Sequence, residues 1–91
     1  MAHIEREKSA LLTRVRKIKG QAAALEKSLS EETDCLAVLQ QVTAIRGAVN
    51  GLMTKILEMH IREHIGATDI TDEERAKEID DVALILKSYL K

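Results

Sequence analysis

The stretch VLQQVTAIRGAVNGLMTKILEM, residues 38–59, decides the fold. In it Val38, Val42, Ile45, Val49, Leu52, Ile56 and Met59 follow one another at alternating steps of four and three, the seam of a helix packed lengthwise against other helices. No proline interrupts it, and the first breaking residue downstream is Gly66. Upstream, Ser30 followed by Glu31 and Glu32 reads as an N-cap with acids in the first turn, where they favour the positive end of the helix dipole. Helix 2 is therefore expected from about Ser30 to the approach of Gly66, about 33 residues and roughly 50 Å of helix. A compact chain of 91 residues has a radius of gyration of only about 12 Å. The rod needs a partner, and small chains without an aromatic core commonly associate to bury enough apolar surface.

Working outward, Leu11, Val15, Ile18, Ala22, Leu25 and Leu29 repeat the same spacing and predict helix 1 over about Glu5 to Leu29. Beyond the seam, Gly66-Ala67-Thr68-Asp69-Ile70 reads as a loop, and Thr71-Asp72-Glu73-Glu74 fits a capping box, Thr followed by Glu three residues on. Helix 3 then carries Ile79, Val82, Leu86, Tyr89 and Leu90. There is no internal repeat, linker or low-complexity stretch. The expectation is an all-α, three-helix protomer forming one domain over residues 1–91.

Composition agrees. The chain is 45% hydrophobic and 32% charged, has no Pro, Trp or Phe and a single Tyr, and so lacks the aromatic and turn-forming residues of sheets. An all-β fold is excluded. One cysteine excludes an intrachain disulfide and suits a reducing compartment. No apolar run approaches the roughly 18 residues of a membrane span, and residues 1–7 contain no signal-peptide core. These features predict a soluble, cytoplasmic protein with no membrane partner. The net charge of -1 conceals an uneven distribution. Between Lys8 and Lys27 stand Lys8, Arg14, Arg16, Lys17, Lys19 and Lys27 against Glu26 alone, whereas Glu58 to Asp81 holds nine acids against Arg62, Arg75 and Lys77. An anionic partner feels the local field of a patch, so the first third of the chain is a candidate DNA surface.

The chemically distinctive residues are Cys35, His60 and His64, with His3 near the N-terminus. His60 and His64 are i,i+4 and share one helix face at chelating distance. Alone, such a pair is equally served by solvent or by core hydrogen bonds. Cys35 adds to it: at about 100° per residue it falls about 20° from a whole number of turns from each histidine, on the same longitudinal stripe. Along an unbroken helix Cys35 and His60 lie about 37 Å apart, so one chain cannot join them, but an antiparallel copy of helix 2 can. Pairing 35 with 60 and 64 places the two-fold crossing between residues 47 and 50, where Gly47 and Gly51 form a small-x-x-x-small notch. Each mid-helix glycine costs about 1 kcal/mol against alanine and so asks for a packing reason.

An isologous dimer with two equivalent inter-subunit sites follows, Cys35 from one chain and His60 and His64 from the other. His3 and the N-terminal amine reach that site if helix 1 folds back beside Cys35, and Asp34 and Glu63 flank it as carboxylates able to orient imidazole N–H groups. Thiolate with imidazoles suits Ni(II), Co(II) or Zn(II), and the lack of a second cysteine argues against a dedicated Cu(I) site.

No Gly-rich phosphate loop, acid–base pair or oriented nucleophile is present, so an enzyme is not expected. No helix-turn-helix, zinc-finger or RNA-binding signature appears either. A structural helical adaptor would explain the heptads but not the coincidence of the Cys/His stripe with the glycine crossing.

The blocks Leu12-Thr13-Arg14-Val15-Arg16-Lys17-Ile18-Lys19-Gly20-Gln21, Cys35 with Leu39-Gln40-Gln41, Ala44-Ile45-Arg46-Gly47-Ala48-Val49-Asn50-Gly51-Leu52-Met53 and His60 together resemble the CsoR/RcnR family of bacterial transcriptional repressors. The resemblance covers nearly the whole chain. It implies a three-helix protomer, an antiparallel dimer through helix 2 forming a four-helix bundle, a disc-shaped dimer of dimers, and release of double-stranded operator DNA on binding an inducer. It also implies DNA contacts by Arg14, Lys17 and Arg46, with Arg16 and Lys19 as supporting charge. Nickel and cobalt sensors of the family show His3, Cys35, His60 and His64, and all four are present. Copper sensors carry a second Cys where His64 stands. The formaldehyde-responsive (FrmR-like) members use Cys35 with an N-terminal proline and commonly lack a histidine at the position of His64; here residue 2 is Ala, whose amine, exposed if Met1 is removed, remains able to join Cys35 through a methylene bridge.

Overall fold

The computed structural model describes the backbone of residues 2–31 and 33–91 and the side chains of residues 7–31 and 33–91. Among the described residues there are three α-helices and no strand: α1 (Ala2–Ser30), α2 (Cys35–His60) and α3 (Asp72–Tyr89), with a π-helical turn at Ile61–Ile65 between α2 and α3. The all-α, three-helix expectation holds. No helix among these residues is long and apolar enough to cross a membrane.

The boundary between the first two helices differs from the sequence expectation. Ser30 does not open α2; it closes α1, its hydroxyl donating back to the Lys27 carbonyl at 2.8 Å. Asp34 is the cap instead. Its Oδ2 accepts from the Ala37 N–H at 3.3 Å and its carbonyl accepts from the Val38 N–H at 3.2 Å. Ser and Asp are comparable N-cap residues in isolation, but Ser30 is itself the last residue of α1 with its side chain turned back on that helix, whereas Asp34 directly precedes α2. The first turn of α2 consequently carries no acid, and Glu32 lies outside the described residues. The helix is 26 residues rather than the 33 or so expected, about 39 Å long. Its α-geometry ends at His60, not at Gly66, because the backbone widens into the π turn.

The start of α3 agrees with the sequence. The Thr71 hydroxyl accepts from the Glu74 N–H at 3.1 Å and the Glu74 carboxylate accepts from the Thr71 N–H at 2.8 Å, a complete capping box. The Thr71 backbone N–H foremost, and then the Thr71 side chain, hold the Glu74 carboxyl below its ordinary range.

The chain falls into two compact units, Met1–Ile56 and Leu57–Lys91. In the first, α1 lies antiparallel to α2: Lys55 Nζ is 3.8 Å from the Glu7 carboxylate, and Arg14 lies against Gly51. The heptads split in two here. Leu11, Ile18 and Leu25 of α1, with Val38, Ile45 and Leu52 of α2, are buried or half-buried. The interleaved set stays open, with Val15, Val42, Val49 and Ile56 between 37% and 47% exposed and Leu29 at 65%. One stripe of each helix is thus covered within the chain while the other faces outward. In the second unit Met59 and Val82 are buried, whereas Ile79, Leu84 and Ile85 of α3 and Leu90 just after it are exposed.

Candidate metal centre and nucleic-acid face

His60 is the last residue of α2 and His64 sits in the π turn. Their rings stack with centroids 4.5 Å apart and planes inclined by 29°. His60 Nε2 lies 3.1 Å from Glu78 Oε2 on α3, with both side chains about one-third exposed. A carboxylate accepts only from a protonated ring nitrogen, so this contact places an N–H on Nε2, and in the neutral ring the lone pair is then on Nδ1. The chain therefore presents two imidazoles side by side, one of them already oriented.

Glu78 is not one of the carboxylates expected from sequence to orient the imidazoles, which are Asp34 and Glu63. Asp34 is engaged as the cap of α2, and Glu63 lies within the π turn. The signal for Glu78 in the sequence is faint: it stands one helical turn from Arg75 and from Val82, which puts an acid on the inward stripe of α3.

Cys35 is the first residue of α2, with an exposed free thiol. Among the described residues no three His, Cys, Asp or Glu side chains of one chain converge on a point that could hold a metal ion. The expectation for His3 rests on a side chain outside those described, and Ala2 is the first residue of α1.

The basic residues expected at DNA, Arg14, Arg16, Lys17, Lys19 and Arg46, are all exposed. Arg14 has a neighbour that the sequence does not suggest. A Cβ built on Gly51 would stand 3.2 Å from an Arg14 guanidinium nitrogen, while one built on Gly47 would meet nothing within 4 Å. The missing side chain at Gly51 makes room for Arg14 of the same chain, and Gly47 is the open half of the notch. The buried Oε1 atoms of Gln21 and Gln41 have no hydrogen-bond partner among the described residues.

Comparison with known proteins fits this architecture. Residues 7–88 match the family described as metal-sensitive transcriptional repressors. The chain is 52% identical over 91 residues to a protein of the bioA 5' region of Serratia marcescens, covering all of both. It is 50% identical over 92 residues to the transcriptional repressor RcnR of Salmonella paratyphi B, again covering the full length of each. Among solved structures, a glutamate-to-histidine variant of the formaldehyde-responsive regulator FrmR from Salmonella enterica serovar Typhimurium superimposes with a TM-score of 0.85 at 42% identity, over 92% of this chain and 94% of that one. With 82 of its 91 residues inside the family match, and full-length relatives at half identity, the chain belongs to the family of metal-sensitive transcriptional repressors.

Proposed function

We propose that the chain is an operator-binding repressor, working as one module over residues 1–91, that leaves DNA when Ni(II) or Co(II) binds at a site built from Cys35 of one protomer and His60 and His64 of its partner, with His3 as a further ligand. The observation that carries this reading is the imidazole pair at 4.5 Å with Glu78 fixing one ring. The donor set fits. Two imidazoles and a thiolate are borderline ligands suited to late divalent first-row ions, and Zn(II) is the natural competitor. When bound, such an ion ties groups on different helices to one another. The chain's own residues do the rest: Glu78 holds the His60 ring, the π turn sets His64, and Cys35 supplies the thiol from the exposed start of α2.

Arg14, Arg16, Lys17, Lys19 and Arg46 supply the phosphate contacts, which makes binding salt-dependent and specific chiefly through DNA shape. If the tied and untied arrangements of α1 differ in DNA affinity, inducer and operator oppose each other by one shared coupling free energy. A coupling of about 1 to 3 kcal/mol corresponds to roughly 5- to 150-fold in affinity. The repressor acts as a homo-oligomer, a dimer through α2 and then a dimer of dimers, and the outward heptad stripes of α1 and α2 support the first of these steps.

A second inducer reading is favoured by the likeness to a formaldehyde-responsive regulator and by the exposed Cys35 thiol. An N-terminal amine and the Cys35 thiol condense with formaldehyde to an N–CH2–S bridge, the aldehyde oxygen leaving as water with one hydrogen from each. Release of a labelled operator fragment measured in parallel against Ni(II), Co(II), Zn(II), Cu(I) and formaldehyde separates the readings. Cys35→Ala is expected to abolish the response and to keep DNA binding. A Cys35→Ala protein that still leaves DNA on adding Ni(II), Co(II) or formaldehyde refutes the site.

A further inference from the structure

The π turn after His60 is held shut by two residues that the repressor reading does not use. Gly66 donates its N–H to the Ile61 carbonyl at 2.8 Å, closing the wide turn. Its φ of -81° is open to any residue, so backbone freedom is not why glycine stands there. Space is tight there instead. A Cβ on Gly66 would come within 3.1 Å of the Arg62 carbonyl oxygen, a backbone atom that would have to give by a few tenths of an ångström, and would make an ordinary contact at 3.5 Å with that of Ile61. On the far side, Arg75 of α3 donates from Nε to the Ile65 carbonyl at 2.9 Å and from a terminal nitrogen to the Ala67 carbonyl. A third guanidinium nitrogen faces the Asp72 carboxylate at 3.6 Å. One planar fork thus holds the carbonyls on both sides of Gly66, a geometry that arginine's fixed donors suit and lysine's single ammonium does not.

His64 is the residue before Ile65, whose carbonyl Arg75 holds. In an α-helix, four residues advance about 400°, which would put His64 about 40° past a full turn from His60. A π turn of about 4.4 residues leaves it short of a full turn by about 30°. The bearing of His64 therefore swings by about 70° according to whether the turn is π or α. Arg75 and Glu78 are i,i+3 on α3, so one face of that helix holds the His60 ring nitrogen and the carbonyl of Ile65, the residue after His64.

We propose that Arg75, with Gly66 as the residue that lets the turn close, is a positioning residue: it locks the π turn so that His64 joins His60 as a second imidazole ligand. This rests on the metal reading above. Maintaining the lock decides whether the site acts as a two-imidazole site, the set that favours Ni(II) and Co(II), or falls back on one imidazole and the thiolate.

The test compares Arg75→Ala, Arg75→Lys, Gly66→Ala, His64→Ala and the double variant Arg75→Ala/His64→Ala as full-length proteins, with helix content and Tm recorded for each. The readouts are Co(II) affinity by chelator competition, the Co(II) ligand-field spectrum, operator affinity without metal, and the His60–His64 ring-to-ring NOE in the metal-free protein. Arg75→Ala is expected to lower Co(II) affinity by about 10- to 100-fold, the span seen when outer-shell partners are removed. Arg75→Lys should match it, Gly66→Ala should move the same way, and the NOE should weaken in all three while metal-free operator affinity stays within two-fold or so of the parent. The double variant should be no weaker than His64→Ala, since the clamp acts only through His64. Arg75→Ala with parental affinity and NOE overturns the proposal, as does an equal loss in the His64→Ala background, which would mark Arg75 as general scaffolding. Wild-type Co(II) affinity in His64→Ala overturns the metal reading itself and the proposal with it, an outcome distinct from loss in His64→Ala alone.

Discussion

Replacing Val49 by aspartate tests whether the open heptad stripe is a subunit interface. Val15, Leu29, Val42, Val49 and Ile56 are 37% to 65% exposed and together leave the surface of about two whole side chains uncovered in each protomer. At about 2 kcal/mol per fully buried aliphatic side chain, covering both protomers' stripes is worth about 9 kcal/mol. Association itself costs about 4 to 15 kcal/mol in restricted freedom, so the stripe suffices only if every position contributes. Val49 falls at the two-fold crossing expected from the sequence, where its two copies would meet in the proposed dimer. Val49→Asp removes about 1.5 kcal/mol of burial over the pair and sets two carboxylates into the seam, each losing several kcal/mol of hydration. A total above about 5 kcal/mol weakens association by at least about a thousandfold. Sedimentation velocity at micromolar concentration is expected to give an oligomer for the parent and for Val49→Ala, and monomer for Val49→Asp. Parental sedimentation of Val49→Asp would show that α2 does not pair through this stripe.

Three further outcomes are expected. Glu78→Ala should lower Co(II) affinity by about 10- to 100-fold in chelator competition, because His60 loses the partner that fixes its tautomer; unchanged affinity would reduce the 3.1 Å approach to a surface pair. Lys17→Ala should weaken operator binding and make the log–log salt slope shallower by about 0.9 for each phosphate that the variant no longer neutralises, read by fluorescence anisotropy across a salt series. Thr71→Ala should lower stability at pH 7 by about 1 kcal/mol, or roughly 4 to 8 °C in Tm at fixed protein concentration. Since the Glu74 carboxyl is held below its ordinary value of 4.5, chiefly by the Thr71 backbone N–H that Thr71→Ala retains, its part of the capping box is fully present above that value and is lost as pH falls through the lowered one, so it is the Tm gap between the parent and Glu74→Ala that should narrow as melts are taken to more acid pH.

The seam in residues 38–59 was legible because burial along helices follows a period that sequence displays directly, and the capping box at Thr71 because it needs only two residues three apart. Sequence does not distinguish the two stripes within one heptad: the spacing of Leu11 and Val15 says that both are apolar, not that the first is covered by the chain's own helix and the second is not. Ser30 misleads for a related reason. A cap residue is recognised by its flanks, and serine at the end of one helix has the same flanks as serine at the start of the next, until its hydroxyl is seen bonded to Lys27. The π turn leaves no periodic trace because a single widened turn shifts the phase by less than one residue, and its cause, the fit of Gly66 against the Arg62 carbonyl and of Arg75 against Ile65 and Ala67, is tertiary.

Gly51 links the packing of α2 to the DNA face. From sequence it is one side of a notch for a second helix; in the structure its open face takes the Arg14 guanidinium, and only Gly47 is left bare. A glycine that costs about 1 kcal/mol of helix stability thus has a neighbour within its own chain, the tip of an arginine that a methyl group would push back by a few tenths of an ångström. That cation is one of those proposed to contact DNA, and on that reading the groove between α1 and α2 would set where a phosphate-binding group stands. Any tie that shifts α1 along α2 moves Arg14 relative to its glycine seat. Opposition between inducer and operator then needs no signal through the core, only two preferred placements of one helix against its neighbour, each favoured by a different ligand.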